Sequence, residues 1–146
     1  MKRLRLHSVL TLVAIVANAT VANAQIVFRT ELKEKYDFKT VSCYTCHMRK
    51  SDVAEDQVAK FEENSKAFRN AIGKQLEELL KEKNVTQRLK DVKGLPREDP
   101  KREAVEEQVK KEFHEALEKL EAMKCPEGGT YKEALQKAKI DGIKLK

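Results

Sequence analysis

The chain has no tryptophan, and its three tyrosines and five phenylalanines bring aromatics to only 5%. That is little bulk for the core of a 146-residue protein, and a large apolar group bound inside would make up the shortfall. The same scarcity argues against nucleic-acid binding, which needs a basic stripe interleaved with base-stacking aromatics. No apolar run reaches the roughly 20 residues that a membrane-crossing helix requires. Period-two strand segments and internal repeats are also missing. No nucleophile–base pair or carboxylate constellation stands out, so no enzyme is expected. There are only three cysteines, and two of them stand close together.

The start of the chain reads as a secretory signal. Lys2, Arg3 and Arg5 lead into an apolar stretch over residues 9–17, and Ala22-Asn23-Ala24 fits the A-x-A cleavage rule. Cutting after Ala24 makes 1–24 a signal peptide and 25–146 a single domain of 122 residues. It leaves 27 basic residues against 24 acidic ones, a net charge of +3 in place of +6. Charges of both signs are then mixed along solvated helix faces, and the small positive excess steers an acidic partner at most. The expected location is outside the cytoplasm.

The rest of the chain patterns as helix. A short helix is expected over residues 30–36. Ser51 is the expected N-cap of a long amphipathic helix reaching residue 83, with Ala54, Val58, Phe61, Ser65, Phe68, Ile72, Leu76 and Leu79 in one stripe. A helical turn over 84–93 carries Val85, Leu89 and Val92 inward, and Gly94 and Pro96 then interrupt it. Asp99-Pro100 starts a second long helix with Asp as N-cap and Pro at the first helical position. Its stripe is Val105, Val109, Phe113, Ala116, Leu120 and Met123, and Pro126 stops it. Thr130 and Glu133 form a capping box for a last short helix to about residue 139. The expected fold is all-α, with two long amphipathic helices and short flanking ones.

Cys43-Tyr44-Thr45-Cys46-His47 is C-x-x-C-H, the attachment sequence of c-type haem. Two thiols separated by two residues reach the two vinyl groups of one porphyrin and form thioethers. The next residue is then placed to give an imidazole to the iron as proximal axial ligand. One covalent haem c on Cys43 and Cys46, with His47 on the iron, is therefore expected. A redox disulfide would call for a thioredoxin-like βαβ context, which is not seen. A zinc site would need two more ligands, and past residue 24 only His114 and Cys125 remain outside the motif.

The sixth iron position is less determined. Met48 adjoins His47 and reads as a packing residue. His114 falls about 140° from the centre of its helix stripe at helical period and reads as solvated. Met123 and Cys125 both remain: the first belongs to the core stripe, and the second is an odd thiol in an oxidising compartment. Arg49 and Lys50 are candidates for pairing with haem propionates, with an ordinary surface role as the other reading.

Phe28, Leu32 and Tyr36, the C-x-x-C-H motif, Arg69-Asn70-Ala71-Ile72-Gly73-Lys74-Gln75-Leu76, and Gly128 with Thr130-Tyr131 followed by Ala138-Lys139-Ile140 form a pattern. It reads F-x3-L-x3-Y, C-x-x-C-H, R-N-x-x-G-x-x-L and G-x-T-Y. The pattern resembles that of small planctomycete monohaem c-type cytochromes. With Lys124-Cys125-Pro126 it resembles in particular the NaxLS-type heterodimeric cytochromes of anammox bacteria. The resemblance implies Cys125 as distal axial ligand and a low-potential His/Cys-ligated haem. It also implies binding of nitric oxide and carbon monoxide, a homologous subunit as partner, and the periplasm or anammoxosome lumen as location. The alternative is an electron-transfer cytochrome with His/Met ligation through Met123.

Overall fold

The computed structural model describes residues 22–146. The expected signal segment lies outside them except for 22–24, which open the first helix. Helix α1 (Ala22–Lys35) leads into strand β1 (Phe38–Val41). Short 3-10 turns and helix α2 (Val58–Glu63) follow, then α3 (Ala71–Leu80), α4 (Val85–Val92), α5 (Pro100–Glu121), α6 (Tyr131–Gln136) and strand β2 (Ile143–Leu145). The chain is mostly helical, as expected, but it is not all-α. β1 and β2 pair antiparallel, with Val41 opposite Ile143 and Phe38 opposite Leu145. Strands of four and three residues are too short to display a period, and their pairing joins distant parts of the chain.

α5 is the central element and forms for the reasons its sequence states. The Asp99 carboxylate accepts from the Lys101 N–H at 2.9 Å, and Pro100 occupies the first turn. Val109, Phe113, Ala116, Leu117 and Leu120 are each at most 3% exposed. α1 lies along one side of it. Phe28 stacks on Phe113 with centroids 4.5 Å apart, and the Tyr36 hydroxyl donates to Glu121 at 2.6 Å. Between them His114 Nε2 sits 2.7 Å from Glu31, a buried carboxylate. His114 is thus half-exposed and paired, not simply solvated, because α1 covers the side of α5 that the stripe alone left open.

α3 and α4 pack on the other side, burying Ile72, Leu76, Leu80, Val85, Leu89 and Val92. Arg88 reaches the buried Glu112 of α5 at 2.7 Å. The expected long helix over 51–83 is broken. Lys50–Asp52 is a 3-10 turn capped by Arg49, not by Ser51. Asn64 (φ −149°, ψ 69°) and Phe68 (ψ 107°) leave helical geometry, and α3 starts afresh at Asn70. The cause is tertiary: Met48 N–H donates to the Phe68 carbonyl at 3.1 Å, and His47 and Arg69 form an antiparallel bridge. These bonds hold 68–70 in extended chain, after a 3-10 turn over Ser65–Ala67. The period from Ile72 onward survives, since α3 keeps its apolar face.

The Glu121 contact has a pH consequence. Burial pushes the carboxyl up, but hydrogen bonds from Tyr36 and Lys35 outweigh it and hold the group below its ordinary value. A depressed carboxyl stabilises the fold above its unfolded value of about 4.3, and that contribution fades as pH falls through the folded value. Tyr36→Phe is therefore expected to lower the unfolding free energy by about 1 kcal/mol at neutral pH. The gap to wild type should shrink below about pH 4. Urea unfolding of both proteins at neutral and acid pH checks this; a gap independent of pH would assign Tyr36 to packing alone.

Candidate functional site

The C-x-x-C-H segment folds as one tight turn directly after β1. Ser42 caps it by accepting from the Tyr44 N–H at 3.3 Å. The Cys43 carbonyl then accepts from both Cys46 N–H (3.2 Å) and His47 N–H (3.0 Å). The two sulfurs and the imidazole therefore leave a single reverse turn. No disulfide joins Cys43, Cys46 or Cys125.

Two other parts of the chain clamp this turn, the start of α3 and the segment before β2. The Asn70 carboxamide donates to the Tyr44 and Thr45 carbonyls at 2.9 and 3.1 Å. Its oxygen accepts from Gly73 N–H at 3.0 Å, so one side chain both caps α3 and fastens the motif. Gly73 lies hard against the turn: a Cβ there would stand 2.0 Å from the Cys46 carbonyl oxygen. From the C-terminal side Gly142, at φ +77°, accepts from the Ser42 N–H at 2.8 Å. A Cβ on Gly142 would lie 2.3 Å from Ser42 Oγ and 2.8 Å from Thr45 N. Asn70 and Gly73 belong to the R-N-x-x-G pattern, which no spacing argument connected to the cysteines; Gly142 gave no signal at all.

The turn opens on a cleft of about 470 Å³ bordered by Cys43, Cys46 and His47. Its walls are apolar, with Phe28, Leu32, Leu76, Leu80, Val85 and Phe113 contributed by α1, α3, α4 and α5. The size falls within the roughly 300–1,000 Å³ usual for cofactor sites. Arg29, Lys66, Arg69, Lys81 and Lys90 border it, against one carboxylate, Glu77. Arg49 and Lys50 do not. The Arg49 guanidinium lies 4.9 Å from the Tyr44 ring centre and 3.5 Å from Asp141, and Lys50 pairs with Glu62 at 2.5 Å. Both are surface ion pairs, so the expected propionate pairing finds no support at those positions.

His47 is electronically suited to bind a metal. Burial first, and then the neighbouring Arg69 guanidinium, hold its pKa below the ordinary imidazole value, against smaller opposing effects of the Phe68 carbonyl and Glu77. The ring is thereby kept neutral, the form that can donate a lone pair. Arg69 Nη1 lies 3.4 Å from Nε2, while the buried Nδ1 has no well-aligned hydrogen-bond partner. Arg69 is in turn held by Glu77 at 2.8 Å. The Cys46 thiol is pushed up to about 11, chiefly by burial, so it stays protonated at neutral pH. A neutral imidazole, two unpaired thiols and an apolar cleft beside them fit a covalently held haem. No cluster of three or more His, Cys, Asp or Glu able to hold a bare metal ion occurs among the described residues.

Cys125 and Met123 are elsewhere. α5 ends at Glu121, so both belong to the connection to α6. That connection is a narrow hairpin: Cys125 N–H donates to the Gly129 carbonyl, Gly128 N–H to the Cys125 carbonyl, and Tyr131 N–H to the Met123 carbonyl, at 3.0–3.1 Å. Both side chains pack half-buried against the core, and neither borders the cleft. Cys125 instead adjoins Tyr131, whose phenol is raised by burial and then by Cys125 and Glu127.

No described helix is long and apolar enough to cross a membrane. No protein-family model, curated protein or solved structure matches the chain.

Proposed function

We propose that this chain is an exported monohaem c-type cytochrome. Cys43 and Cys46 would hold the haem through thioethers and His47 would be the proximal ligand. The observation that carries the reading is the C-x-x-C-H turn, clamped by the start of α3 and by Gly142 and opening on an apolar cleft of about 470 Å³. When bound, the haem supplies an iron whose potential and gas affinity follow its axial ligands and their surroundings. The chain's residues do the rest. The turn would present two thiols and one imidazole to the ring, and the apolar walls would cover part of its face.

Cys125 is proposed as the distal ligand, on the strength of the likeness to NaxLS-type cytochromes, with nitric oxide and carbon monoxide as exchangeable ligands. Cys125 packs half-buried in a hairpin that does not border the cleft, so ligation would require that hairpin to move toward the ring, and the proposal rests on the likeness alone. A homologous subunit is proposed as partner. A His/Met electron carrier is the second reading, and Met123, in the same hairpin, would then be the ligand.

The attachment step is checked on protein expressed with a haem-ligating export system. Wild type is expected to give one covalent haem per chain by its pyridine haemochrome, and Cys43→Ala/Cys46→Ala none. A wild type without covalent haem sinks the proposal.

A further inference from the structure

The cleft has two chemically distinct ends. At one end lies the motif, where Gly73 is pressed against Cys46. From there α3 runs along the cleft wall, contributing Leu76 and Leu80, and hands over to Lys81, which also borders it. Between Gly73 and Lys81 the chain advances about 12 Å, at about 1.5 Å per residue. The far end is built from the α3–α4 connection and α4: Lys81, Asn84, Thr86, Gln87 and Lys90 border the cleft there beside Val85.

The cations at the two ends are differently engaged. Near the motif, Arg29 Nε donates to the Val41 carbonyl at 2.8 Å, and Arg69 is held by Glu77 and His47. At the far end, Lys90 makes no ion pair among the described residues. Lys81 has only a loose, solvent-exposed contact with Glu78 at 3.6 Å. The Gln87 amide is turned to Asp91 at 2.7 Å, so the local carboxylates are partly occupied already. An apolar slot ending in two lightly held ammonium groups suits a flat molecule that is apolar along most of its length and anionic at one edge.

We infer that Lys81 and Lys90 are the anchors of the haem propionates, an assignment that rests on the haem reading above. The chemistry of the ring supplies the orientation. Its vinyl groups sit on two neighbouring pyrroles and its propionates on the other two. Thioethers at Cys43 and Cys46 therefore direct the propionates away from the motif, along α3 and toward the α3–α4 connection. Lys66, the remaining lightly engaged cation, borders the motif end and is left out. Lysines bind such carboxylates as point charges while their stems cover apolar wall.

The test uses holocytochromes: wild type, Lys81→Gln/Lys90→Gln, Lys81→Arg/Lys90→Arg and Lys66→Gln. Reduction potential is measured across pH for each. In the Gln double variant the potential is expected to fall, because lost positive charge favours ferric iron. The inflection caused by propionate ionisation should move to higher pH, because the anions lose their partners. Lys66→Gln should leave that inflection in place, and the Arg variant should keep it near wild type. An inflection unmoved in the Gln double variant, or moved equally by Lys66→Gln, overturns the assignment while the covalent haem stands. If the Gln and Arg variants alike fail to assemble, the lysines serve packing and the assignment also falls. Absence of covalent haem in wild type would instead sink the reading on which the inference rests.

Discussion

Gly73→Ala is expected to destabilise the protein by about 3 kcal/mol and to depress assembly with haem sharply. In an ordinary helix this substitution favours folding by about 1 kcal/mol, since alanine is the better helix former. Here the added methyl would meet the Cys46 carbonyl oxygen at 2.0 Å and the carbonyl carbon at 2.8 Å. Both atoms are backbone, and the oxygen already accepts from the Asn70 N–H at 3.1 Å. Neither α3 nor the motif can withdraw without losing the bonds that fasten one to the other. Urea unfolding and pyridine haemochrome yield measure the two effects. Gly94→Ala is the control, since a Cβ there meets nothing within 4 Å. A Gly73→Ala protein as stable and as fully loaded as that control would show that α3 does not press on the attachment turn.

Cys125→Ala is expected to change the proposed haem centre more than any other substitution outside the C-x-x-C-H motif. If the proposed thiolate ligates ferric iron, wild type shows a low-spin signal in absorption and electron paramagnetic resonance, and the variant loses it. Nitric oxide should then bind the variant more readily, because no internal ligand competes for the position. Fold stability should change little, because the hairpin is closed by backbone bonds at Cys125 that alanine retains. A low-spin signal unchanged in Cys125→Ala and abolished in Met123→Ala would transfer the ligand to Met123 and favour the electron carrier. The proposed gas chemistry would then lose its basis.

The legible and illegible parts of the chain divide by range. α5 was readable to its first residue because Asp99, Pro100 and the stripe from Val105 to Leu120 act within one or two turns of each other. The Thr130 cap of α6 was readable for the same reason, its hydroxyl accepting from Glu133 N–H at 3.3 Å. The stripe over 51–83 was misleading. Ala54, Val58, Phe61, Ser65 and Phe68 have helical spacing, yet only Val58 and Phe61 lie in α2 and the chain is extended around Phe68. Two edge-on rings, Phe61 and Phe68 at 5.4 Å, satisfy the same apolar residues without a continuous helix. The competing bonds come from Met48 and His47, about twenty residues back, where no periodicity can register them.

The C-x-x-C-H motif could be picked out from the sequence alone. Its three reactive groups lie within five residues, so the chemistry proposed for it is argued from covalent spacing. That spacing does not say what surrounds the motif. Only the tertiary structure joins Asn70, Gly73 and Gly142 to the turn and sets Arg69 against His47. Only there do Lys81 and Lys90 come to border the cleft while Arg49 and Lys50 turn to surface carboxylates. Local signals decide what a residue can do within a turn or two; the company it keeps is decided by which distant segments pack against it.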